Sequence, residues 1–179
     1  MGQQVSPPTA QVDLPPGVRE ARVGDAADIV RLVRALADYE REPDAAVITP
    51  ELVERWLFGD DAVASALVAE VDGRVVGIAV WYRSYSTWTG VPGIYLEDLF
   101  VEPDHRGAGF GRAFLVALAR IALARGYQRF EWVVLDWNTP AIEFYDALGG
   151  RPMQGWTTYR VDGERLAALG LMAVGDTPG

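Results

Sequence analysis

The chain has 179 residues, 50% hydrophobic and 23% charged, with a net charge of −9, no cysteine and a single histidine. That length and balance fit one globular domain, and they exclude a disulfide scaffold, thiolate catalysis and a multi-histidine metal site. The acidic excess argues against nucleic acid as a partner, and no apolar run approaches the ~20 residues of a membrane span.

All sixteen basic residues are arginine, so no lysine can serve as nucleophile or Schiff base. His105 alone makes a serine–histidine triad unattractive. The first residues lack a basic and apolar leader pattern, which sets the expectation of a cytoplasmic protein. Residues 1–17 and 170–179, rich in Pro, Gln and Gly, are expected to be a mobile arm and a flexible tail around a single domain over 18–169.

Val18–Val23 reads as a short strand. Asp25 is a candidate N-cap for a helix to about Glu42, whose apolar face is Ile29, Leu32, Val33, Leu36 and Ala37. Thr49-Pro50 opens a second helix. Ala66–Val71 and Val75–Tyr82 flank the turn pair Asp72-Gly73 and form a hairpin. Arg83–Gly93 reads as an aromatic loop, and Ile94–Val101 as the next strand. A helix to about Arg125 follows, ended by Gly126. Phe130–Leu135 has the near-continuous apolar character of a central strand. Thr139-Pro140 starts another helix, and Trp156–Val161 reads as a last strand. A helix crossover between the strands ending near Val101 and Leu135 implies parallel neighbours, whereas the earlier hairpin implies antiparallel ones. The fold class is therefore α/β (α+β), a mixed sheet flanked by helices.

The segment Arg106-Gly107-Ala108-Gly109-Phe110-Gly111-Arg112 joins a strand to a helix. Glycines there permit positive φ, so successive N–H groups can converge on an anion at the helix N-terminus. Without lysine it is no Walker loop, and its G-x-G-x-G spacing departs from the dinucleotide fingerprint, although Asp136 stands where a ribose-binding acid would.

Arg106, Gly109 and Gly111 resemble the acetyl-CoA pyrophosphate loop of the GCN5-related N-acetyltransferase (GNAT) superfamily. Ile94-Tyr95-Leu96-Glu97-Asp98-Leu99-Phe100-Val101 and Asp136-Trp137-Asn138-Thr139-Pro140-Ala141-Ile142-Glu143-Phe144-Tyr145 resemble its diamine (spermidine/spermine, thialysine) branch. Tyr39-Glu40, Trp88 and Gly155-Trp156 add to the similarity, which covers roughly 18–169. The resemblance implies a twisted sheet with splayed central parallel strands, a homodimer, acetyl-CoA as co-substrate without a metal, and a small cationic amine as acceptor. It implies cofactor contacts from Leu99, Phe100, Val101, the loop 106–112, Asn138, Ala141 and Tyr145. The amine side would be formed by Tyr39, Glu40, Trp88, Glu97, Asp98 and Trp156. Polyamine-specific members carry further acids where this chain has Ser86 and Gln154, which opens the acceptor class to smaller amines.

Acetyl transfer from a thioester requires a neutral amine, a polarised carbonyl and a proton for the departing thiolate. Glu97 is the candidate proton acceptor, acting through water, with alternation placing Asp98 on the opposite face. Backbone N–H groups around Leu99 to Val101 are the candidate oxyanion donors. Tyr145, with a phenol pKa of ~10 above a thiol's ~8.5, is the candidate acid. A protein acceptor, a silent acyl-CoA sensor and a nucleotide-binding oxidoreductase are the competing readings. His105 is expected to be an ordinary turn residue.

Overall fold

The computed structural model describes residues 12–172. It divides into two compact units, Met1–Val133 and Val134–Gly179, each taken by itself below. Residues 1–11 of the expected arm and 173–179 of the expected tail lie outside the described residues.

The first unit is built on a five-stranded sheet in the order β1-β2-β3-β4-β5. Its strands are β1 (Val18–Glu20), β2 (Ser65–Val71), β3 (Arg74–Ser86), β4 (Val91–Val101) and β5 (Phe130–Glu131). The first four pair antiparallel, and β5 runs parallel to β4. The mixed sheet expected from the sequence is therefore present.

One face is covered by α1 (Ala26–Tyr39) and the short α2 (Pro50–Val53). Ile29, Val30 and Leu32 of α1 pack with Val68, Ile78, Val80 and Phe100 of the sheet in a single core. The opposite face is covered by α3 (Phe110–Ala124), whose Phe114 is fully buried over Gly77. A Cβ at Gly77 would stand 3.2 Å from the Phe114 ring and 3.0 Å from the Phe100 carbonyl oxygen, so the bare glycine lets the helix settle.

Several expectations need correction. The loop expected over Arg83–Gly93 is mostly strand. Pairing continues through Arg83↔Ile94 and Ser84↔Gly93 to Ser86↔Val91, leaving a tight turn at Thr87–Gly90. Ser86 closes that turn, its Oγ accepting the Thr89 N–H at 3.3 Å and its carbonyl the Gly90 N–H at 2.9 Å. Cross-strand pairing here outweighs the turn-like composition of the segment.

The strand expected over Phe130–Leu135 is only Phe130–Glu131. The strand expected over Trp156–Val161 has no partner among the described residues, and Tyr159 is 91% exposed. An apolar run becomes a strand only where a neighbour offers its backbone groups. β1 likewise stops at Glu20.

Asp25 precedes α1 but does not cap it through its side chain. Its carboxylate instead grips the Arg19 guanidinium at 2.7 and 2.9 Å and accepts the Arg22 N–H at 2.7 Å. Thr49 does cap α2, accepting the Leu52 N–H, and Gly126 takes the left-handed φ of +69° expected after α3.

The second unit holds α4 (Thr139–Ala147) and α5 (Gly163–Leu171). The cap of α4 is Asn138 rather than Thr139, with Asn138 Oδ1 accepting the Ala141 N–H at 3.4 Å. No helix among the described residues is long and apolar enough to cross a membrane.

Candidate active site

β4 and β5 are pinned together at one end only. Ile94 pairs with Phe130 and Tyr95 with Glu131, and β4 then runs on to Val101 with no partner on that side among the described residues. The close start depends on Gly93, where a Cβ would meet the Arg129 carbonyl oxygen at 2.7 Å. β4 carries an irregularity just past this pairing. Trp81 pairs with Leu96 and Val80 with Asp98, so Glu97 is an extra residue in β4. Such a bulge bends and twists its strand, and this one falls two residues beyond the last β4–β5 pair.

The open edge presents backbone donors. The Glu102 N–H donates to Val76 O on the β3 side at 2.9 Å. Strand N–H groups alternate in direction, so those of Leu99 and Val101 point the other way, into the gap. Phe100 contributes differently, with its side chain in the core and 5% exposed.

Beyond β4 the chain turns through Pro103–His105 into the glycine loop. Gly107 and Gly109 have φ of +79° and +88°, and Gly109 caps α3 from the left-handed region with no side-chain hydrogen bond. No described residue accepts from the N–H groups of Gly107, Ala108, Gly109, Phe110, Gly111 or Arg112. A Cβ at either Gly107 or Gly109 would meet nothing within 4 Å, so the space over the loop is open. Free N–H groups at the start of a fifteen-residue helix form a site for a phosphate-bearing ligand, and the loop therefore fits the pyrophosphate of acetyl-CoA.

On the α1 face, beside the bulge, acids and aromatic rings gather. Asp98 lies cross-strand from Val80, and its carboxyl is pushed up to about 6 by burial, then by Glu97 and Glu40. Glu40 is the C-cap of α1, where the helix dipole is negative, and burial raises its carboxyl. Tyr82 and Tyr95 pair across the hairpin and stack with centroids 5.0 Å apart. Burial and then Glu97 raise the Tyr82 phenol. Strict alternation would separate Glu97 from Asp98. Glu97 is the extra residue of the bulge, and its charge raises both Asp98 and Tyr82.

The structure thus brings Tyr39, Glu40, Glu97, Asp98 and Arg106 together in the first unit. Trp88 stands at the hairpin tip, 88% exposed. Asn138, Ala141, Tyr145 and Trp156 belong to the second unit, where Trp156 is 72% exposed. His105 sits in its turn with Nδ1 3.7 Å from Glu102. Sequence reasoning passed over Tyr82 and Tyr95 as pocket walls. The signal was the hairpin register, which sets them opposite each other.

Residues 29–149 match the family model described as acetyltransferase (GNAT) family. The chain belongs to that family. GNAT acetyltransferases use acetyl-CoA as co-substrate, in keeping with the donor-rich loop. The chain is 38% identical over 163 residues to thialysine N-epsilon-acetyltransferase of Sus scrofa, covering 85% of this chain and 95% of that protein. It is 36% identical over 98 residues to L-ornithine N5-acetyltransferase of Arabidopsis thaliana, covering 55% of this chain and 43% of that protein. Among solved structures, an integron cassette protein from the mobile metagenome of V. cholerae superposes with a TM-score of 0.74 at 24% identity. It covers 87% of this chain and 97% of that one, and shares the fold. The GNAT chain is an N-acetyltransferase, as its relatives are, and the oxidoreductase and silent-sensor readings are not favoured.

Proposed function

We propose that this GNAT enzyme transfers acetyl from acetyl-CoA directly to the distal primary amine of a small diamine or amino-acid-like acceptor. One observation carries the acceptor class: Glu40, Glu97 and Asp98 converge beside the open edge of β4, at the negative end of α1. Three carboxylates and a helix C-terminus favour a cation, and the Tyr82–Tyr95 pair adds an aromatic wall. The relatives named for thialysine and ornithine support the same class. Ser86 is 4% exposed and spent on its turn, so it offers no acid to a distant second ammonium. That favours a short acceptor over a long polyamine.

In this reading the amine arrives as an ammonium, held by Asp98 and Glu40. Glu97, exposed on the bulge, takes its proton through water. Burial and the neighbouring carboxylates raise the proton affinity of Asp98, which narrows the gap to the amine. Acetyl-CoA supplies the thioester. The Leu99 and Val101 N–H groups face the developing oxyanion, the loop 106–112 holds the pyrophosphate, and Asn138 and Ala141 flank the cofactor arm. Tyr145 returns a proton to the thiolate. The single acyltransferase domain is taken as 18–169, since the family match at 29–149 runs through both compact units. A homodimer completes the reading.

Thiol release from acetyl-CoA, measured with thialysine, ornithine, lysine, putrescine, spermidine, spermine and simple monoamines, tests it. Release is expected with the short diamines or diamino acids. Release with none of the panel, or only with a protein acceptor, would overturn it.

A further inference from the structure

We propose that Glu102 is a positioning residue for the cofactor loop, fixing where the donors of 107–112 stand without touching the cofactor itself. The inference rests on the reading of that loop as the anion site for the pyrophosphate of acetyl-CoA.

Glu102 is the first residue after β4 and the last before the turn Pro103–His105 that leads into the glycines. Its backbone is tied on both sides. The N–H donates to Val76 O at 2.9 Å, and the carbonyl accepts the His105 N–H at 2.9 Å. Its side chain is 14% exposed and draws cations from three segments. Arg31 of α1 donates from Nη1 to Oε1. Arg74, the first residue of β3, donates from Nη2 to the same oxygen at 2.7 Å. His105 Nδ1 stands 3.7 Å from Oε2. Arg31 is in turn fixed by Asp28 Oδ1 at 2.8 Å and by the Val75 carbonyl oxygen at 2.7 Å.

Two guanidinium groups thus meet on one carboxylate oxygen. With a neutral acceptor there, their like charges would drive them apart. The junction joins α1, the start of β3 and the root of the loop. Residues 107–112 make no side-chain hydrogen bond among the described residues. Their aim therefore depends on what holds the chain at each end, α3 on one side and Glu102 on the other. Backbone donors grip an anion only when they converge on it, so a loosened root weakens binding. The amine side is spared, because Arg31 stands about 14 Å along the helix axis from Glu40 and α1 is packed independently through Ile29 and Leu32.

Charge and position predict opposite signs. Removing an acid near an anion site would, by charge alone, tighten CoA binding. Loss of the junction weakens it. The full-length parent, Glu102→Gln, Glu102→Asp and Gly109→Glu are compared by calorimetry with CoA, and by kinetics with the best amine, below each melting transition. Glu102→Gln should raise CoA Kd about five- to tenfold, with kcat and amine KM within about twofold of the parent. Glu102→Asp keeps the charge but not the reach, and should raise CoA Kd about threefold. If Glu102→Gln does not fold, Glu102→Asp decides, and CoA affinity decides even where no amine turns over. Parent-like or tighter CoA binding would overturn the proposal. Equal losses in kcat, amine KM and CoA affinity would mark general loosening and overturn it too. Gly109→Glu keeps the two readings apart. If it binds CoA as the parent does, the anion-site reading has failed and the proposal falls with it. If it alone loses CoA, the loop reading stands and the role of Glu102 is rejected.

Discussion

Glu40, which closes α1, stands near enough to Asp98 on β4 to raise its affinity for a proton, and burial and Glu97 act in the same direction. An unfolded aspartate titrates near ~3.9, whereas this one is pushed up to about 6. The folded state holds the proton more tightly, so its advantage is complete below pH ~4 and is lost as pH rises through about 6. Asp98→Asn should therefore melt about 2–4 °C higher than the parent at pH 8 and lose the decline between pH 4 and 7. The same variant should raise the amine KM. Melting curves across pH, with amine kinetics at pH 8, check both. In the parent, kcat/KM for the amine should climb through about pH 6 as Asp98 ionises.

Gly109 holds φ of +88° at the mouth of the donor loop. Gly109→Glu combines backbone strain with a carboxylate placed over the N–H groups that receive the anion. CoA affinity should fall by about a hundredfold or more, roughly 2.8 kcal/mol, while the fold survives. Calorimetry beside circular dichroism separates the two. Parent-like CoA affinity would reject the anion-site reading of the loop.

Tyr145→Phe removes the proposed proton donor and keeps the ring. A loss of about tenfold to a hundredfold in kcat is expected, with CoA Kd within about twofold. Unchanged turnover would remove Tyr145 from the chemistry.

Gly93 lets the chain at Arg129 approach β4, and a Cβ there would meet the Arg129 carbonyl oxygen at 2.7 Å. Gly93→Val should cost about 1–3 kcal/mol, because the close end of the β4–β5 pair must open. Urea unfolding measures this. Gly73→Ala gives a useful contrast, since no atom lies within 4 Å and only the φ of +76° penalises it.

Asp25 is 8% exposed and held by Arg19, which also reaches Glu70 at 2.7 Å. The Arg19 hydrogen bonds hold the Asp25 carboxyl below its usual range. Its contribution is present above the unfolded carboxylate pKa of ~3.9 and is lost as pH falls through the depressed folded value. Asp25→Asn should cost about 1.5–3 kcal/mol at pH 7 and less in acid, which denaturant titrations at both pH values can follow.

Much of this site was legible before any coordinates. The strand–glycine–helix order around 106–112 marks a turn that needs positive φ, and Gly107 and Gly109 take left-handed conformations there. The apolar spacing of α1 and α3 and the Asp72-Gly73 hairpin followed from periodicity. The aromatic segment 83–93 was misread because its turn residues are common in loops, whereas the register with β4 extends the hairpin to Ser86. Trp156–Val161 looked like a strand because β-forming side chains do not reveal whether a partner backbone is present.

Sequence alone determined the family, the donor loop and the carboxylates, since these depend on which residues stand at which spacing. Tertiary structure decided where they stand. The extra residue at Glu97 is visible only by aligning β4 against β3, and it interrupts the strict alternation of the strand there. Arg106 reads as a phosphate ligand from its place in the loop. Its bond to the Val101 carbonyl oxygen and its contacts with the Tyr39 and Phe100 rings are visible only in the tertiary structure. A side chain's direction depends on residues distant in sequence, and local pattern carries no record of them.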